Sequence, residues 1–209
     1  MLITLLFQNP ILFITLFTAL VFSLSLHEFA HAFAAVKLGD PTPKQAGRLT
    51  LNPLAHLDPV GTLLLLVAGF GWAKPVPINP NYMKDSKKGS AIVSIAGPGI
   101  NFVLAALSAL LLSLLGFSGG FLTFSGGLLS SFLYYFALYN TGLGIFNLLP
   151  ISPLDGFKFV RGILPENLAW QWQQMAPYGI FILLFLVLTD SLERILLPLM
   201  RGFLSLFGL

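Results

Sequence analysis

At 209 residues, with 56% apolar and only 9% charged side chains, the chain lies far from an ordinary soluble domain, which carries about a quarter charged residues. Its mean hydropathy of +0.86 points to a bundle of membrane-spanning helices, and its length to one compact domain over residues 1–209. The lack of cysteine excludes disulfides and thiolate metal sites, and a net charge of +3 carried in loops suits an anionic membrane surface rather than nucleic acid.

No basic segment precedes the first apolar run, so that run is expected as a retained span and not a cleaved signal. It extends from about Pro10 to Leu38 and is closed by Gly39-Asp40-Pro41. A mixed stretch, 42–59, leads into Leu63–Ala68, too short to span, and then into the breaker-rich Gly69–Pro77. Two short arms around a Gly-x-Gly turn predict a membrane-dipping β-hairpin or a re-entrant segment over 61–80. The second span is expected over 91–115, followed by the uncharged, glycine-rich link 118–127. A third, 128–149, ends at Pro150 and Pro153; the polar segment 155–174 precedes a fourth over 178–188. The tail, 191–209, reads as an interfacial helix or a shallow fifth span. The expected fold is therefore an all-α, polytopic bundle of about four to five transmembrane helices.

Basic residues orient this bundle. Lys37, Lys44, Arg48, Lys74, Lys84, Lys87 and Lys88 lie between the first and second spans, and Lys158 and Arg161 after the third. The segment before Pro10 and the link 118–127 carry none. The positive-inside rule then predicts a multi-pass cell-membrane protein with its N-terminus outside, both basic segments in the cytoplasm, and 61–80 entering and leaving on one side.

Inside the first span stands His27-Glu28-Phe29-Ala30-His31. Residues four apart share a helix face, so both imidazoles can reach one ion, with Glu28 beside them to take a proton from water. Packing as satisfied polar residues between helices is the bland alternative, but each buried ionisable group in lipid costs a few kcal/mol. Two histidines leave zinc one protein ligand short. Asp155, just past the proline-broken end of the third span, is at matching depth; alone it would read as a turn aspartate before Gly156. His56 is a rival ligand, or else a helix cap or a partner of Asp58. Asn147, eight residues before Asp155, could donate to a developing oxyanion or make an interhelical bond. Asn101 reads as an interhelical packing contact, and Tyr134, Tyr135, Tyr139 and Asn140 take no role.

Taken in order, His27-Glu28-x-x-His31, Gly97-Pro98-Gly99-Ile100-Asn101 and Asn147-x-x-Pro150-x-x-Pro153-Leu154-Asp155-Gly156 resemble the site-2 protease family of intramembrane metalloproteases, peptidase family M50. Asn52-Pro53 through Gly61 and Trp72 through Pro80 are similar to its compact prokaryotic members. The resemblance covers about residues 10–165. It implies one zinc ion on His27, His31 and Asp155, Glu28 as catalytic base, Asn147 near the scissile carbonyl, and a membrane-anchored protein as substrate. Many relatives carry a PDZ or CBS domain, and no segment here is expected to hold one. A zinc-binding transporter or a catalytically silent relative is the competing reading. Substrate identity and oligomeric state are not legible.

Overall fold

The computed structural model describes residues 2–68, 71–117 and 127–209, and among these the regular structure is helical apart from one isolated bridge. Leu2–Gln8 (α1) leads into Pro10–Lys37 (α2), whose start is set by Pro10 and by the Asn9 side chain, which accepts from the Leu12 N–H at 3.1 Å. Gly39, at φ +103, takes the left-handed turn that stops it, where a Cβ would be strained. After the short Thr42–Gln45 (α3) come Pro59–Ala68 (α4) and the long Ser86–Leu114 (α5). Asp85 caps α5 by accepting from the backbone N–H groups of Lys87 and Lys88. The Lys88 N–H above all, with the Lys88 charge, holds the Asp85 carboxyl below the usual range.

Leu128–Leu148 (α6) is followed by Asp155–Ile163 (α7), Glu166–Gln174 (α8), Gly179–Leu188 (α9) and Ser191–Ser205 (α10). Three stretches among the described residues are long and apolar enough to cross a membrane: Pro10–Lys37, Ser86–Leu114 and Glu166–Leu188. The helix α6, expected as a span, has 21 residues but carries three tyrosines, Asn140 and Asn147, which dilute its hydropathy. It packs against both α2 and α5, and these three make the core. Ala19, Ala32, Ala35, Ala105, Ala109 and Ala137 are completely buried there. Small side chains let helices approach closely where lipid offers no hydrophobic drive for association.

One expectation needs correction. The first arm of the β-hairpin is a helix. Asp58 accepts from the Gly61 N–H at 2.8 Å, Pro59 opens the first turn, and a run of leucines with no breaker propagates it. What does hold is the return of the chain, although Gly69 and Phe70 of the expected turn lie outside the described residues. Gly71 and Trp72 run back against Gly61 so closely that a Cβ on either glycine would collide with the facing backbone. Leu57 and Ala73 then pair as an isolated antiparallel bridge, and the Lys74 N–H donates to the His56 carbonyl at 2.8 Å. Leu57 and Ala73 thus lie side by side. The link 118–126 also lies outside the described residues.

The tail is docked on the bundle. Leu204 and Leu209 are buried with Ala109, Leu112 and Leu133, and Phe203 stacks obliquely on Phe102 at 5.2 Å, which sets helix α10 against α5 and α6. Gly179, at the start of α9, abuts Ser152 at the other end of the bundle. Helix α9 passes into α10 at Asp190, which has a φ of 54°.

Candidate metal centre

Two imidazoles and one carboxylate meet between α2 and the start of α7. His27 Nε2 and His31 Nε2 stand 3.0 Å apart, with Asp155 Oδ2 at 3.2 Å from the first and 2.9 Å from the second. All three residues are buried. Their spacing on α2 follows from the helical repeat, which puts positions four apart on one face. Among the described residues they are the one group of metal-ligating side chains able to hold an ion together.

The outer atoms of the site explain its orientation. His31 Nδ1 lies 2.7 Å from the Val93 carbonyl, and His27 Nδ1 lies 2.5 Å from Asn101 Oδ1. Each acceptor requires the hydrogen on Nδ1, so both Nε2 atoms present lone pairs. Lys158 Nζ donates to Asp155 Oδ1 at 3.0 Å, leaving Oδ2 for the histidines. Three acceptors turned toward one another at these distances repel unless a cation stands among them. The donor set, two imidazole nitrogens and a carboxylate oxygen, is one that zinc accepts while keeping a fourth position open.

Glycines make the approach possible. A Cβ on Gly97 would strike His31 Nε2 and His27 Cε1, so only glycine lets α5 cross this close to both rings. One residue on, Pro98 lacks the N–H that would bond Ser94, in the turn that also offers the Val93 carbonyl. A Cβ on Gly156 would strike the Leu148 carbonyl, so the Leu-Asp-Gly sequence brings Asp155 against the end of α6. Asp155 also opens α7, where the helix dipole favours a carboxylate. Stacking of Phe157 on Trp172 at 5.2 Å and the Lys87–Glu166 pair at 2.9 Å tie α7 and α8 to α5.

A cavity of about 1100 Å³ opens beside this cluster. His27, Glu28, His31 and Asp155 line one side of it, and Trp72, Pro75 and Val76 line another. Glu28 is half-buried, and its Oε2 accepts from the Val76 N–H at 3.3 Å. Asn147 reaches the same cavity, but its amide donates to the Leu143 carbonyl of its own helix at 3.0 Å rather than across helices. His56 is not part of the cluster. It is fully buried under the 42–59 stretch with Nε2 at 2.9 Å from the Thr50 carbonyl, and Asp58 caps α4 instead of pairing with it.

Sequence reasoning missed the residues behind the ligands: Ser23, Asn101, Asn140 and Lys158. Ser23 was detectable, since Ser23, His27 and His31 repeat every four residues along one face.

Residues 122–188 match the family model of Peptidase family M50. Over 195 residues the chain is 42% identical to "Putative zinc metalloprotease YwhC" of Bacillus subtilis, covering 92% of this chain and 87% of that one. This chain belongs to peptidase family M50. Within the family it is also 34% identical over 206 residues to "Putative zinc metalloprotease Rip2" of Mycolicibacterium smegmatis, 94% of this chain and 75% of that one. "Zinc metalloprotease MJ0392" of Methanocaldococcus jannaschii is 27% identical over 161 residues, 77% of this chain and 37% of that one. No solved structure matches. Membership in the M50 family accords with the buried His27–His31–Asp155 group and with the apolar helices that carry it.

Proposed function

We propose that this M50 chain is an intramembrane zinc endopeptidase that hydrolyses peptide bonds in or near the transmembrane segments of membrane-anchored proteins, with one zinc ion per chain. The observation that carries this reading is the convergence of three buried acceptors, with Glu28 beside them on the same cavity. The ion that His27, His31 and Asp155 would hold supplies Lewis acidity and brings the pKa of water at the site down to about 7.

The chain's own groups would do the rest. Val76 occupies Oε2 of Glu28 and leaves Oε1 to take a proton from the attacking water and pass it to the departing amine. Asn147 would swing its amide from the Leu143 carbonyl to the oxygen of the scissile bond, a donor of the kind typically worth about 3 kcal/mol. Glu28→Gln keeps the shape but cannot accept the proton. With purified protein and single-span substrates, we expect it to bind zinc normally and to lose at least about a hundredfold in turnover. Comparable cleavage by that variant, or cleavage by the native chain undiminished by a chelator, would overturn the mechanism.

The membrane arrangement belongs to the same proposal: a cell-membrane protein with its N-terminus outside and the metal centre toward the cytoplasm. The one-place exit and return of 57–73 supports it, since Lys74 then stays on the side of Arg48 and Lys44. Cysteine introduced at Gln45, Ser86 and Val160 should label from the cytoplasm, and cysteine at Leu128 from outside. Labelling of Leu128→Cys from within would reverse the orientation.

A further inference from the structure

Behind His27, on the side away from the cavity, three helices meet through polar side chains that take no part in the ligand set. Ser23 of α2, Asn101 of α5 and Asn140 of α6 are fully buried. Their hydrogen bonds run in one direction. Ser23 Oγ donates to the Ala19 carbonyl at 2.8 Å, which leaves its oxygen to accept the Asn140 Nδ2–H at 2.7 Å. Asn140 Oδ1 then accepts the Asn101 Nδ2–H at 2.7 Å, and Asn101 Oδ1 faces His27 Nδ1 at 2.5 Å.

Backbone carbonyls lock that direction. Asn140 Nδ2 also donates to the Phe136 carbonyl at 2.8 Å, and Asn101 Nδ2 to the Ser23 carbonyl at 3.4 Å. A carbonyl can only accept, so neither amide can exchange its oxygen and nitrogen without turning two acceptors on each other. The end of the chain that meets His27 is therefore an oxygen.

We propose that Asn101, Asn140 and Ser23 are positioning residues of the metal centre, a hydrogen-bonded chain across all three core helices that holds His27 as its Nδ1–H tautomer. A neutral imidazole has one donor and one acceptor nitrogen, and only the acceptor can bind a metal. Fixing the hydrogen on Nδ1 commits Nε2 to the ligand position. His31 receives the same service from the rigid Val93 backbone carbonyl. His27 is served by a side-chain amide instead, whose orientation must itself be set, and Asn140 and Ser23 set it. Because the chain joins α2, α5 and α6, it also makes the ligand geometry depend on their register. The inference rests on the reading of His27 as a metal ligand.

The test measures zinc affinity of the purified full-length chain by chelator competition. Asn101→Leu keeps the volume and removes the acceptor, and should weaken zinc binding about 10- to 100-fold, as loss of such partners does at other metal sites. Asn101→Asp keeps an oxygen toward His27 but turns its second oxygen on the Asn140 amide oxygen and the Ser23 carbonyl, so it should recover only part of that loss. Asn140→Leu should weaken binding less, and Ser23→Ala less again. His27→Ala should abolish binding; if it does not, the ligand assignment itself falls. If His27→Ala loses zinc while Asn101→Leu binds as the native chain does, the positioning chain is refuted. Zinc loss in Asn101→Leu with the His27 hydrogen still on Nδ1 in the metal-free ¹⁵N-histidine spectrum refutes it too, since a packing role would leave the tautomer unmoved. Should the variants fail to fold, the metal-free native chain labelled with ¹⁵N-histidine decides: the histidine signal missing from His27→Ala must show the hydrogen on Nδ1, and a hydrogen on Nε2 overturns the proposal.

Discussion

The two walls of the cavity are built by different means. On the metal side, the ligands project from helices, and the nitrogen or oxygen that each turns away from the ion site is held by Asn101, Val93 or Lys158. On the facing side, Gly71 to Asn79 is an extended strap without a regular ladder. It is tied near one end by the His56 carbonyl and Arg48, which donates to the carbonyls of Lys74 and Ala55, and at the other by Asp40, which accepts from the Asn79 N–H at 2.7 Å. Between these ties Pro75 and Pro77 have no N–H, so Val76 offers the donor between them, and it goes to Glu28. The three clustered acceptors and the partner of Glu28 thus belong to separate parts of the structure. A bundle with interlocked side chains keeps atoms at fixed distances, whereas a strap fixed at its ends can yield to an incoming peptide.

Three substitutions would break or sharpen this contrast. Asp155→Ala should have the largest effect, removing both zinc and turnover, because two facing lone pairs alone do not hold the ion. Full zinc occupancy in that variant, measured by metal analysis, would disprove the ligand set. Gly97→Ala comes next. It drives a methyl group into both imidazoles, and we expect at least about a tenfold loss of zinc affinity with the helical content intact, since geometric faults behind the ligands act on this scale. Unchanged affinity would mean that α5 shifts freely. Val76→Pro should do least. It deletes one hydrogen bond to a charged group, so turnover should drop about tenfold with zinc binding unaltered. A fall in zinc binding there would show that the two walls are not independent.

Residue order was a sufficient guide wherever the determinant is local. The ends of α2 followed from Pro10 and Gly39, and the meeting of two imidazoles from the four-residue spacing of His27 and His31. Leu63–Ala68 was misread because an apolar run of that length fits a strand or a helix equally, and the cap that decides it, Asp58 on Gly61, is a single bond. The docking of the tail was not legible for a related reason: Leu204 and Leu209 find a groove on α5 and α6 that no local pattern announces.

Composition and spacing alone determined that this chain is an apolar helical bundle and that one helix bears a ready-made pair of imidazoles with a carboxylate between them, because helix period and transfer free energy act within a segment. That Asp155 stands with the two histidines could be argued from depth, but its distance to both depends on Gly97 and Gly156 admitting neighbouring helices. Tertiary structure alone decided which nitrogen of each histidine faces the ion. Val93 lies 62 residues from His31 and Asn101 lies 74 from His27, and a tautomer is set by whatever acceptor stands opposite, however far away it falls in the chain.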